Sequence, residues 1–176
     1  MFITLDEIYE EFEDLAPRLY DVDQNGTQEA VVIESHATQG ARLAIYAASG
    51  LMDATPYIGR RNRWLAPFAA ADIDGDGKIE VAFIDRPHLA KVLRIWRYDD
   101  GEFFEVGNLE PLTNHRIGQD FIQGGVRDCG NGPELIMANG SWSDVTSVTV
   151  RNNEMFVTEI APFTSPDSIT AALNCS

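Results

Sequence analysis

Short apolar runs alternate with polar, glycine-containing stretches along most of the chain. The runs are four to eight residues long and rich in β-branched and aromatic side chains, which predicts strands rather than helices. Three of them each follow an acidic or glycine-rich stretch: Ala30–Ile33, Val81–Ile84 and Leu135–Met137. Each is followed by a further pair of runs joined by a tight-turn sequence, at Ser49-Gly50, Asp99-Asp100-Gly101 and Asn152-Asn153. Such turns predict antiparallel hairpins.

The order strand, polar loop, strand and hairpin occurs three times. The first two loops begin at Asp21 and Asp72, 51 positions apart, and align without a gap. The units cover residues of approximately 13–57, 63–112 and 119–163, with 164–176 as a C-terminal tail of one repeat domain. Trp64–Ala70 and Phe121–Val126 are interpreted as the strands that enter the second and third loops.

The predicted fold is all-β. A four-stranded antiparallel sheet cannot bury both of its faces alone, so the units must stack. We expect a β-propeller-like array of about three to four four-stranded antiparallel blades, with an incomplete ring as one outcome because closed rings need at least about four blades. Residues 1–12 fit either an edge strand or a short helix.

The composition changes this picture in a few respects. At 176 residues with 44% hydrophobic positions, the chain is long enough for a folded core. Its net charge of −15 argues against a nucleic-acid partner, which would require clustered Lys and Arg. Membrane insertion is not expected, because no apolar run approaches the roughly 18 residues of a spanning segment. The N-terminal residues lack the pattern of a secretory signal, which leaves a cytoplasmic protein and a mature or truncated chain as alternatives.

The first two loops carry oxygen ligands at regular spacing. The sequence DIDGDGKIE places Asp72, Asp74, Asp76 and Glu80 at positions one, three, five and nine, and the carbonyl of Lys78 at position seven. The sequence DVDQNGTQE offers the corresponding set: Asp21, Asp23, Asn25, the Thr27 carbonyl and Glu29. Calcium prefers six to eight such oxygen ligands. We expect two Ca²⁺ sites, the first weaker because Asn25 supplies an amide oxygen.

Two other interpretations of the loops are an EF-hand and a metal-free cluster of Asx-turns. An EF-hand needs a bidentate Glu at position twelve and a following helix, but those positions are Val32 and Phe83 and both lie in apolar strand runs. A metal-free cluster of Asx-turns would place several acidic side chains close together without a counter-ion.

On these residues the chain resembles the FG-GAP (VCBS) repeats of integrin-α-like propellers, whose loops read D-x-[DN]-x-[DN]-G-x-x-[DE]. The resemblance implies a β-propeller-type fold, calcium bound within the blades, and adhesion or ligand binding with a protein or glycan rather than catalysis. It favours a periplasmic or extracellular location. The third unit departs from the pattern, because only six steps separate Asp128 from Glu134 and Gly130 supplies no side-chain oxygen. No metal is assigned there.

The two cysteines, Cys129 and Cys175, are far apart in sequence. A disulfide would tie the tail to the third unit, whereas a reducing compartment would leave free thiols. Both alternatives remain open.

Basic residues collect in the segments between the units. Their equivalent repeat positions suggest convergence on one rim, which could bind an anionic ligand such as an acidic sugar; these residues are Arg60, Arg61, Asn62, Arg63, Asn114, His115 and Arg116. Ion pairing between blades is the alternative role. No nucleophile, phosphate-loop or zinc motif is present, so we expect no enzyme. The alternative is a hydrolase or lyase on an acidic glycan, using this rim with His88 or His115. A partner chain could complete the ring as a homo-oligomer.

Overall fold

The computed structural model describes residues 10–12 and 17–175. Its elements form three antiparallel sheets and one helix. The first sheet contains β1 (Glu10–Phe12), β2 (Arg18–Tyr20), β3 (Glu29–His36), β4 (Gly40–Ala47) and β5 (Gly50–Ala54). The second contains β6 (Leu65–Ala71), β7 (Glu80–Asp85), β8 (Val92–Asp99) and β9 (Glu102–Leu109). The third contains β10 (Leu112–Thr113), β11 (Gly125–Asp128), β12 (Pro133–Asn139), β13 (Asp144–Arg151) and β14 (Glu154–Pro162), and is followed by α1 (Pro166–Leu173).

Each sheet has four strand positions. In the first sheet, β1 and β2 pair with different parts of β3, so together they fill one position beside it. In the third, β10 and β11 share the position beside β12 in the same way. The remaining strands continue as β3-β4-β5, β6-β7-β8-β9 and β12-β13-β14. The predicted all-β, blade-like architecture is confirmed.

The second sheet lies between the other two and is apolar on both faces. Along β7, Val81 and Phe83 pack with side chains of the first sheet, while Ala82 and Ile84 pack with side chains of the third. All four are at most 1% exposed. Full burial of a Val, Ile or Phe side chain contributes about 1.5–3 kcal/mol. Stacking of the three sheets is therefore the main source of stability.

The structure corrects one predicted strand. The segment from Phe121 to Gly124 is not a strand, and β11 begins only at Gly125. The N–H of Gln123 donates to the carbonyl of Asn114 (2.8 Å), so the segment closes a loop instead of extending a sheet. The side chain of Phe121 is therefore 49% exposed. Of residues 1–12, Glu10–Phe12 form strand β1, and the prediction for residues 1–9 lies outside the described residues.

The C-terminal tail, for which no helix was predicted, contains α1. Ser165 caps its N-terminus by accepting the N–H of Asp167 (3.2 Å), and Pro166 occupies the first turn. Ile169 and Ala172 pack against Ile136 and Val145 on the outer face of the third sheet. No helix of the described residues is long and apolar enough to cross a membrane.

The antiparallel order separates the loops into two ends. Residues 21–28, 72–79 and 129–132 precede β3, β7 and β12 and form the acidic-loop end. The strands then run to the opposite, connector end, formed by residues 37–39, 55–64, 86–91, 114–124 and 140–143. There Thr113 Oγ1 donates to the carbonyl of Pro87 (2.8 Å), which joins the second sheet to the third.

Candidate metal and ligand sites

The first acidic loop brings its predicted carboxylates together. Ligand atoms of Asp21, Asp23 and Glu29 all lie within 4.8 Å of one another. Glu29 is 1% exposed and accepts the N–H of Val22 through Oε2 (2.9 Å). Asp21 accepts the N–H of Gly26 through Oδ2 (3.0 Å), whereas its Oδ1 is buried and has no hydrogen-bond partner among the described residues. An orphaned buried carboxylate oxygen is costly unless a cation or a donor satisfies it.

Asn25 and Thr27, which supply the two other predicted ligands, form hydrogen bonds within the same loop. Asn25 donates through Nδ2 to Asp23 (2.9 Å) and accepts the N–H of Thr27 through Oδ1 (2.8 Å). The side chains therefore curl into one oxygen-rich turn at the entry to β3. Carboxylate, amide and carbonyl oxygens form the donor set that hard cations such as Ca²⁺ prefer. The residues of the first loop fit calcium.

The second loop has the same backbone design. Its Asp72, Asp74 and Glu80 ligand atoms also lie within 4.8 Å of one another. Asp72 accepts the N–H groups of Gly75 (2.8 Å) and Gly77 (3.0 Å), and the fully buried Glu80 accepts the N–H of Ile73 (2.7 Å). Burial raises the pKa of Glu80 above its usual range. The Lys78 ammonium has no lone pair and forms an ion pair with Asp99, so the potential metal ligand of this residue is its backbone carbonyl.

Arg97 distinguishes the second loop from the first. Its guanidinium contacts Asp74 (2.7 Å), Asp76 (2.7 Å) and Glu80 (2.6 Å), and its side chain is only 12% exposed. Arg97 lies opposite Glu80 in the β7–β8 ladder. In the first sheet the corresponding residue, opposite Glu29, is Ala47, because the β3–β4 register pairs Ala30 with Tyr46. With Arg97 in position, every carboxylate oxygen of the second loop accepts a hydrogen bond. A metal ion would have to compete with Arg97 there.

The third loop is held by other means. Asp128 Oδ1 accepts the N–H groups of Gly130 (2.7 Å) and Gly132 (3.1 Å), and Glu134 pairs with Arg127 at 2.7 Å. Next to Asp128, Cys129 forms a disulfide with Cys175, with their Cα atoms 5.9 Å apart. The loop is linked covalently to the end of α1.

The predicted basic residues of the connectors lie in segments 55–64 and 114–124 of the connector end. Arg60, Arg61 and Asn62 are exposed, and Arg63 donates to the carbonyl of Asn62 (2.9 Å). Arg116 lies over Trp142 and Phe163, 4.6 and 4.9 Å from the ring centroids. None of the four arginines forms an ion pair with a described residue. Asn114 is buried and donates to the carbonyl of Ala66 (3.0 Å).

The two histidines of the alternative enzymatic interpretation are brought together. His115 Nε2 lies 2.9 Å from the carbonyl of Gln119, and its Nδ1 lies 2.9 Å from His88 Nε2. Because a carbonyl can only accept, His115 carries its proton on Nε2 and accepts from His88. Trp64 lies against both rings, with centroids 4.8 Å from His115 and 6.4 Å from His88. Partial burial, the neighbouring His115 and Lys91 lower the pKa of His88.

Sequence reasoning missed Arg97 as a contact of the second loop. A signal was available, since position nine of each loop starts a strand and its cross-strand neighbour must lie beside the carboxylates. It also missed a cleft between the first two sheets, lined by Asp85, Arg94, Trp96 and Glu105. Those residues come from three strands, and only the register brings them together.

Three stacked antiparallel sheets, with carboxylate-rich loops leading into their second strands, define a β-propeller-type repeat protein. Comparison with protein families agrees: the FG-GAP-like repeat matches residues 21–83, a range that contains both complete acidic loops. This match to residues 21–83 confirms the resemblance stated from the loops. Searches among curated proteins and among solved structures returned no match.

Proposed function

We propose that the protein is a calcium-stabilised, non-catalytic binding module of the β-propeller type. The observation that carries the proposal is the first acidic loop, where three carboxylates converge and the buried Oδ1 of Asp21 finds no partner within residues 10–12 and 17–175. A cation at this place would satisfy that oxygen and neutralise the cluster. Asp21, Asp23, Asn25, Thr27 and Glu29 would hold it.

Calcium would act here on stability. Because the ligands converge only when the loop is folded, the free energy of binding adds to that of folding. The second loop would take a second ion through Asp72, Asp74, Asp76, Glu80 and the carbonyl of Lys78, in competition with Arg97. Such sites would fix the entry to β3 and β7 and leave the connector end available for a protein or glycan ligand.

Two features support a location outside the reducing cytoplasm. The Cys129–Cys175 disulfide is of the kind that persists in oxidising compartments. Weak Ca²⁺ sites are typical of extracellular modules, because free Ca²⁺ is high enough there to fill them. We therefore favour a periplasmic or extracellular protein.

The test is thermal unfolding with calcium and with chelator. Calcium at 100 times its dissociation constant should stabilise the protein by about 2.7 kcal/mol for each site. Asp21→Asn should remove the response of the first loop, and Asp72→Asn that of the second. Magnesium should have a smaller effect, because it demands a stricter octahedral shell. Coincident melting curves in calcium and in chelator would refute the proposal.

A further inference from the structure

The first and second sheets enclose a cleft of about 320 Å³ at the connector end. Residues 55–58, which leave the first sheet, form one wall, and β6 to β9 form the other. The volume is at the lower end of the range of about 300–1,000 Å³ typical of small-molecule sites. The cleft is therefore large enough for one small ring but not for an extended ligand.

The polar wall of the cleft is fixed and electrically balanced. Asp85, only 3% exposed, pairs with Arg86 at 2.7 and 3.0 Å and with Arg94 at 3.1 Å. Arg94 also pairs with Glu105 at 2.7 Å. Two carboxylates and two guanidinium groups thus neutralise one another, and the network holds their side chains in place. An anionic ligand would meet arginines that are already paired, beside two negative charges.

The remaining wall is apolar and contains an unsatisfied donor. Leu65 and Phe83 form its buried part, together with the ring of Trp96. The indole Nε1–H of Trp96 is buried and has no hydrogen-bond partner in the part of the chain that the structure describes. Leaving such a donor unpaired costs about 1–3 kcal/mol.

The repeat provides an internal comparison. A corresponding cleft of about 390 Å³ lies between the second and third sheets. The strand registers align Asp85, Arg94, Trp96 and Glu105 with the uncharged residues Asn139, Thr146, Val148 and Val157. Because the second and third sheets pack without charges or an indole at these positions, stacking does not require them. The first cleft carries groups beyond those that packing needs.

We propose that the first cleft binds one ring of a neutral saccharide. Hydroxyl groups both donate and accept, so they can use the free oxygen of a paired carboxylate and the free N–H groups of paired arginines at once. The apolar C–H face of the ring would lie against Trp96 and Leu65. This inference names the ligand class of the binding module proposed above and rests on that function, although it assigns the ligand to the cleft and not to the arginines of the connectors.

The three tryptophans allow a direct test by NMR, because each contributes one indole N–H signal. Trp96→Phe identifies the Trp96 signal by its loss. Titration with a panel of neutral monosaccharides, in calcium, should shift that signal saturably for at least one sugar. The signal of Trp142, which lies against Phe163 on the third sheet, should stay unchanged.

A matched pair of variants links the shift to the cleft. Glu105→Gln should weaken binding at least about tenfold, the effect of losing one charge-assisted hydrogen bond. Glu159→Gln, which removes an exposed carboxylate lining the second cleft, should leave binding unchanged. If no neutral sugar shifts the Trp96 signal, or if Glu105→Gln binds as tightly as the parent protein, the inference is wrong.

An array of immobilised glycans distinguishes free rings from chain termini. Capture of glycans that end in neutral sugars, reduced by Glu105→Gln, would show that the ligand is a glycan terminus; a shift with monosaccharides but no capture would show a free sugar. Capture only of acidic termini would overturn the inference in favour of the connector arginines. A calcium-dependent melting curve measured on the same samples shows whether the proposed calcium role stands independently of the sugar result.

Discussion

Replacing Arg97 by Gln would remove the guanidinium that lies among the carboxylates of the second loop. Arg97 makes three contacts of 2.6–2.7 Å with Asp74, Asp76 and Glu80 and is 12% exposed. Removing one partner of a buried ion pair costs about 3–5 kcal/mol, because the remaining charge is left uncompensated. Since Asp76 is exposed, the lower half of that range is expected. In chelator, Arg97→Gln should therefore be destabilised by about 3–4 kcal/mol.

Calcium should reverse most of this loss. The ion would neutralise the same carboxylates, and in the variant it no longer competes with a guanidinium. The stabilisation by calcium should thus be larger in Arg97→Gln than in the parent protein, by several degrees in the melting temperature at about 2–4 °C for each kcal/mol. The assay is thermal unfolding of both proteins in calcium and in chelator, supported by calorimetric titration of the second site.

The control is Arg151→Gln, which makes the same change in net charge at an exposed position without an ion pair to a described residue. It should change neither the stability nor the calcium response by more than about 0.5 kcal/mol. A calcium response of Arg97→Gln that is equal to or smaller than that of the parent would refute the reasoning, because Arg97 would then not compete with the metal.

Two further predictions concern the third unit and the histidine pair. Replacing both Cys129 and Cys175 by Ser should lower the free energy of unfolding by about 4 kcal/mol, because the disulfide closes a loop with a 46-residue separation. Chemical denaturation measures this change, and an unchanged midpoint would contradict it. The lowered pKa of His88 means that the unfolded chain binds its proton more readily. The free energy of unfolding should therefore fall as the pH drops below about 6.5. His88→Gln should flatten that part of the profile of stability against pH. An unaltered slope would exclude His88 as the source of this pH dependence.

The acidic loops could be predicted because their information is local. Each nine-residue loop contains all of the residues that are proposed to bind its metal ion, and the apolar run after Glu29 or Glu80 shows that a strand follows. The strand order within a blade followed from the hairpin turns for the same reason. Short-range patterns therefore gave the loops, the hairpins and the repeat.

Features that depend on contacts between distant residues were not predicted. Arg97 reaches the second loop through the β7–β8 register, and the cleft needs two sheets to be in place. The apolar residues at Phe121 and Ile122 suggested a strand, but the backbone bond between Gln123 and Asn114 closes the chain into a loop. Helix α1 could have been predicted from local sequence, because Ser165 and Pro166 are signals of a helix start. The interpretation of this segment as a tail did not use them.

The helix on the outer face of the third sheet gives the array a direction. Ile136 and Ala138 present the kind of surface to which another blade would be added, but α1 covers it and the disulfide holds the end of α1 in place. A stack of this kind grows by placing one apolar sheet face on the next. With this face closed, a further copy or blade could join on that side only after α1 had been displaced. Any partner that extends the array without such a rearrangement must do so from the side of the first sheet.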